Sequence, residues 1–131
     1  MNIDSLALKD TTLLQLRHPV SDELLWEDKE QTKPVGINLY GPASKQYRNA
    51  ISALQNRQLR RGKKNVNAET LREESIGLLV SCSENGVNLE YNGAALDSAE
   101  AFREFYSDPK FAWAKEQVDN ALGDPANFLD Q

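Results

Sequence analysis

Reactive side chains are scarce in this chain, which has one histidine, one cysteine and one methionine among 131 residues. A lone Cys82 makes no disulfide within the chain and points to a reducing cytoplasm. One Cys and one His do not build a structural zinc site, which needs four such ligands. A hydrolytic triad needs a base held beside a nucleophile. The only histidine, His18, lies in His18-Pro19-Val20-Ser21-Asp22, which is turn chemistry, and it reads as a solvated turn residue. Cys82 falls on the apolar face of a predicted helix and reads as a small core hydrophobe. No phosphate-cradling glycine loop occurs, because Glu84-Asn85-Gly86 and Tyr91-Asn92-Gly93 are plain turns. The acidic pairs Glu73-Glu74, Glu100 with Glu104, and Asp119 with Asp124 read as solvated helix faces. The expectation is a protein without catalytic residues, cofactor or metal. No apolar run approaches the roughly 18 residues of a membrane span. Met1-Asn2-Ile3-Asp4 lacks the basic-then-apolar opening of a signal peptide. Both point to a soluble protein with no membrane partner.

A second absence is more informative. Between Glu30 and Glu69 there is no acidic residue, while eight Lys and Arg side chains fall there. Residues 1–64 carry 11 Lys/Arg against 7 Asp/Glu, and residues 65–131 carry 4 against 13, so halves of +4 and −9 make up the net −5. Such a division favours head-to-tail contact between copies, or contact with a charged partner. A sequence pI near 4.9 argues against a dedicated nucleic-acid binder, whose pI usually exceeds about 9. The tract Arg57 to Lys64 also has no interleaved aromatic side chain for base stacking. A protein partner with an acidic or amphipathic surface is therefore favoured over nucleic acid. Candidate partner-contact residues are Arg48, Arg57, Arg60, Arg61, Lys63 and Lys64, with Trp26 as an aromatic anchor on an exposed strand edge.

Periodicity predicts one α+β domain over residues 1–131, with a small N-terminal antiparallel β-meander at 11–40, a basic helix at 42–62 and a helical body at 67–129, about four helices in all. Within the meander, Thr11 to Arg17, Glu23 to Glu27 and Val35 to Tyr40 read as strands, with Val35, Ile37 and Leu39 sharing a face. Gly41-Pro42 ends pairing, and Pro42 or Ala43 opens the first helix, which runs to Arg61 with Tyr47, Ala50, Ile51 and Leu54 on a buried face. Its last turns project into solvent, and 62–66 form a link. Asn67 is the expected cap of a second, most buried helix carrying Leu71, Ser75, Leu78, Leu79 and Cys82, closed by Gly86 in the left-handed conformation. A short ribbon turns at Asn92-Gly93. A capping box at Asp97-Ser98-Ala99-Glu100 opens the third helix, with Phe102, Phe105 and Tyr106 on one face. Asp108-Pro109 opens the fourth, and the final Phe128-Leu129 pair docks on the body.

The order of these features resembles the phage tail assembly chaperones of long-tailed phages, small proteins encoded ahead of the tape measure. The resemblance rests on Ile37-Asn38-Leu39-Tyr40-Gly41-Pro42-Ala43-Ser44-Lys45-Gln46-Tyr47-Arg48, a strand passing through Gly-Pro into a basic helix with Gln55-Asn56-Arg57. It continues with Ala68-Glu69-Thr70-Leu71 opening a helix with Leu78-Leu79-Val80. It ends with Phe102-Arg103-Glu104-Phe105-Tyr106, Pro109, Gln117-Val118 and Asn127-Phe128-Leu129, so it spans residues 12–129. One departure lies at Cys82 to Gly86, where many members place a Trp. The resemblance implies no catalysis. It implies a protein that keeps the tail tape measure protein soluble, helps gather tail tube protein in the bacterial host cytoplasm, and leaves before the virion is complete. The alternatives that the sequence leaves open are a structural virion tail component, such as a tube or completion protein, and a small nucleic-acid-binding regulator.

Overall fold

Thr11–Gln15 (β1) and Gly36–Tyr40 (β2) pair antiparallel, from Thr11↔Tyr40 to Gln15↔Gly36. Ser83–Val87 (β3) takes the other edge of β2, so the sheet order is β1-β2-β3 with β2 in the centre. Four α-helices follow from the same chain: Lys45–Arg61 (α1), Ala68–Cys82 (α2), Ala99–Ser107 (α3) and Ala112–Leu122 (α4). A two-stranded ribbon, Glu90–Tyr91 (β4) with Ala94–Ala95 (β5), precedes α3. These positions come from a computed structural model, which describes residues 1–63 and 66–129. The fold is α+β, an antiparallel sheet with four helices, as the periodicity predicts.

Two local expectations are replaced. The segment Glu23 to Glu27 is no continuous strand; it makes only the single bridges Arg17↔Leu24 and Trp26↔Pro34. The reason is that Gly36–Tyr40 pairs with β1 along its whole length. The intervening chain is left to hydrogen-bond beyond the strand ends, as Leu25 N–H does to the Leu16 carbonyl at 2.9 Å. The second replacement concerns Glu84-Asn85-Gly86, which does not close a helix. It lies inside β3, with Gly86 opposite Ile37 and a register shift at Glu84 between the Asn38↔Asn85 and Leu39↔Ser83 pairs. An unpaired edge on a buried central strand outweighs a local turn preference, because buried backbone groups must find partners.

Of the expected helix openings Asn67 holds, while Asp108-Pro109 opens the 3-10 turn Pro109–Phe111 and α4 starts only at Ala112. Ser44, Asn67 and Ser98 each accept a hydrogen bond from a backbone N–H three residues on, at 3.1, 2.8 and 3.2 Å. The first helix therefore begins after Ser44, with Gly41 to Ala43 as a turn ahead of it, and Ser98 takes the cap that Asp97 was expected to hold. Asn92 and Gly93 sit at φ 53 and 79, the paired left-handed values of a tight hairpin turn. Asp108 Oδ1 accepts from Lys110 N–H at 3.0 Å and Oδ2 accepts from the Tyr91 hydroxyl at 3.0 Å. That carboxyl is held below the usual carboxylate range, chiefly by the backbone hydrogen bond.

One hydrophobic cluster unites the layers. Leu16, Ile37 and Leu39 from the sheet side meet Leu79 of α2, Phe102 of α3 and Val118 of α4. Gln117 pins the chain after β1 by a two-way amide pair, accepting from Arg17 N–H at 2.8 Å and donating to the Arg17 carbonyl at 3.0 Å. The C-terminal turn Pro125–Phe128 inserts Phe128, fully buried, beside Gly41. A Cβ at Gly41 would lie 2.3 Å from Phe128 Cδ1, so glycine is needed there for the ring to seat.

Two outcomes follow from this packing. Phe128→Ala leaves a ring-sized void and is expected to cost about 3–5 kcal/mol in urea denaturation; a loss under about 1 kcal/mol would show that the terminal turn is not part of the core. Cys82 is fully buried and its thiol is pushed up to about 11 by burial. It stays protonated at pH 8, so a thiol-reactive disulfide reagent should label it only as fast as the protein unfolds. Prompt labelling of the native protein would contradict that placement.

Candidate functional site

Helix α2 has two working faces. At 100° per residue, Ile76, Leu79, Val80 and Cys82 form one arc, and these are its buried apolar residues. Thr70, Glu73, Glu74, Gly77 and Ser81 form the opposite arc, and all five line a groove toward α1. Helix α1 thus lies on the outer side of α2, touching the core through half-buried Tyr47, and it has no fully buried residue. Tyr47, Ala50, Ile51 and Leu54, expected to be buried, are only half-buried for this reason. Leu71, also expected inside, remains 52% exposed at the boundary between the two arcs.

The apolar stripe of α1 stops at Leu54, yet the helix continues for two more turns to Arg61. Arg57 and Arg60 are exposed there, Leu59 is 81% exposed, and Lys63 follows in solvent. Arg60 and Arg61 lie in the last turn, where cations complement the helix dipole. Arg57, Arg60 and Lys63 make no ion pair among the described residues. Lys64 lies outside the described residues. Arg48 is exposed on an earlier turn, beside an open depression with Tyr47 and Ile51, and its Nε donates to the Ser44 carbonyl at 3.4 Å. Trp26 is half-buried at its isolated bridge to Pro34, not on an exposed strand edge as expected.

Arg61 behaves differently from its neighbours and is withdrawn as a free contact residue. Its Nη2 donates to Glu74 Oε1 at 2.7 Å, and its Nη1 donates to the Gly62 carbonyl at 3.1 Å. The Arg61 and Glu74 side chains are 16% and 6% exposed. This pair ties the far end of α1 to α2. It is incomplete: Arg61 Nε and Glu74 Oε2 have no partner among the described residues. The burial of Glu74 was not visible in the sequence, where Glu73-Glu74 looks like one more solvated acidic pair. The available signal was position, since Glu74 stands one turn before Leu78 on the side that meets α1.

The groove between α1 and α2 has a volume of about 510 Å³. Ala50, Ala53 and Leu54 form its α1 wall, Gly77 and Leu78 its floor, and Arg57 and Arg103 bring positive charge to it. A glycine in mid-helix costs about 0.5–1 kcal/mol relative to alanine, and a Cβ at Gly77 would meet only Arg57 Nη1, at 3.9 Å.

His18 Nδ1 accepts the N–H groups of Val20 and Ser21 at 3.1 and 3.3 Å, so it organises its own turn. Asp119 lies beside Lys115 at 3.4 Å. Among the described residues no group of three His, Cys, Asp or Glu is placed to hold a metal ion, and no helix is long and apolar enough to cross a membrane. The groove and the cationic end of α1 offer charge, shape and hydrogen-bond partners.

The Arg61–Glu74 pair makes a measurable claim. Arg61→Met leaves a buried carboxylate uncompensated and is expected to cost about 2–3 kcal/mol in chemical denaturation at pH 7. The double variant Arg61→Met, Glu74→Met should recover most of that. Equal losses in the single and double variants would mean the two side chains are not coupled. Compared with known proteins, the chain matches no family model, no curated protein and no solved structure.

Proposed function

We propose that this protein is a non-catalytic phage tail assembly chaperone that binds the tail tape measure protein, the tail tube protein or both. The observation that carries the binding role is the solvent-facing cationic end of α1, where Arg57, Arg60 and Lys63 lack acidic partners within the described chain. The resemblance of residues 12–129 to that family supplies the identity of the client. It works in the bacterial host cytoplasm and is absent from the mature virion.

The physics suits a temporary hold. Exposed charges speed encounter and fix orientation but add little to residence time, so a client is caught quickly and released again. A helix attached through a half-buried face and one ion pair presents those charges without engaging the core. The net charge of −5 and the absence of aromatic groups among the α1 cations leave nucleic acid a poor fit.

Charge reversal at Arg57, Arg60 and Lys63 together should weaken capture of the tape measure protein by roughly tenfold or more at low salt, with the fold retained and stability lowered only by the lost dipole complement at Arg60, about 1 kcal/mol. The deficit should shrink as salt rises. Undiminished capture would remove the basis for this reading. Mass spectrometry of purified virions supplies a second check: a stoichiometric presence there would replace the chaperone with a structural tail component.

A further inference from the structure

Two features of the α1–α2 groove have no account within the chain. Gly77 weakens the middle of α2, yet no atom of the fold requires glycine there, since a Cβ would have ordinary clearance. Glu74 is 5% exposed and its Oε2 receives no hydrogen bond among the described residues, an expensive condition for a carboxylate. Both line the same cavity. We infer that this groove seats an amphipathic α-helix of a protein partner, with small or apolar side chains against Gly77 and a lysine or arginine toward the exposed carboxylates Glu69 and Glu73, beside the buried Glu74.

The walls specify a helix. The lining positions recur at helical steps, 50, 53, 54 and 57 on α1 and 69, 70, 73, 74, 77, 78 and 81 on α2. They extend for about 10 and 18 Å at 1.5 Å per residue. An extended segment would gain nothing here, because the backbone donors and acceptors of two helices are already spent on their own turns. Once the Arg57 side chain, whose Nη1 lies 3.9 Å from a Cβ at Gly77, swings aside, Gly77 lets a third helix approach closely, and Ala50 and Ala53 keep the facing wall low.

Charge complementarity fixes what the occupant carries. Glu69, Glu73 and Glu74 line the α2 wall, and the first two make no ion pair among the described residues. Arg57 stands on the opposite wall. A helix with a basic residue toward α2 and an acidic one toward α1 satisfies both, and in one orientation only. This inference rests on the protein-binding reading above and names the shape of what is bound.

The test uses the full chain, isotopically labelled, and a synthetic peptide of about five helical turns with an Ala/Leu stripe and one central lysine. Saturable amide shifts are expected at Thr70, Glu73, Gly77 and Ser81, with the Lys→Glu peptide binding roughly tenfold weaker or worse. Gly77→Leu should abolish the shifts while the circular dichroism stays native, and Gly77→Ala should raise the melting temperature while weakening the peptide. If Gly77→Leu does not fold, the two peptides on the unaltered chain still decide. Equal affinity for both peptides, shifts on another face, or no saturation by about 1 mM peptide would overturn the inference. So would concentration-dependent shifts at the groove without peptide, which would make a second copy the occupant. If any of these occurs while charge reversal at Arg57, Arg60 and Lys63 still impairs client capture, the groove alone falls; if charge reversal has no effect either, the binding reading falls with it.

Discussion

Strand β2 is flanked on both edges and carries Ile37 and Leu39, both without solvent exposure. That double demand, for hydrogen bonds along two edges and for apolar cover over one face, organises the rest of the chain. The first edge is met by β1 just upstream. The second cannot be met locally, because Gly41 and Pro42 turn the chain into α1. The chain must therefore travel out along α1 and return along α2 before Ser83–Val87 can close the sheet. Cover comes from α2, α3 and α4 together, with Phe128 arriving last beside Gly41.

The site is a by-product of that route. Because α2 must face the core with Ile76, Leu79 and Val80, its other side is left chiefly for α1, with Arg103 of α3 also lining the groove. Two helices do not enclose an apolar surface as a larger assembly does, so a groove remains between them. Helix α1 holds its place through half-buried side chains and the Arg61–Glu74 ion pair. The arrangement leaves a cationic end, an open cavity and a buried carboxylate side by side, on the part of the molecule that the core needs least.

Much of the fold was legible in the residues because its determinants are local. Capping by Asn67, the Asn92-Gly93 turn and the Phe102–Phe105–Tyr106 face each depend on neighbours a few positions away. What misled was long-range. Glu84-Asn85-Gly86 has turn composition, and only the empty edge of β2 makes it a strand. The segment Glu23 to Glu27 has strand composition, and only the prior claim of β2 on β1 denies it a full ladder. In the site, the basic tract was plain from composition. The different fate of Arg61 was not, because a guanidinium that pairs with a residue thirteen positions away looks the same in sequence as its free neighbours.

The start of α2, the Phe102–Phe105–Tyr106 face, the charge division and the scarcity of catalytic side chains are all set by the order of the residues. They follow from composition and from periods of two and 3.6 residues, which need no knowledge of what lies across the fold. The packed chain was needed to make β2 central, to put α1 outside α2, and to enclose Glu74 while leaving Leu71 open. Each of those depends on which surfaces meet. An amphipathic pattern says that a face will be covered, and the covering partner is chosen by the whole chain competing for the same edges and the same core.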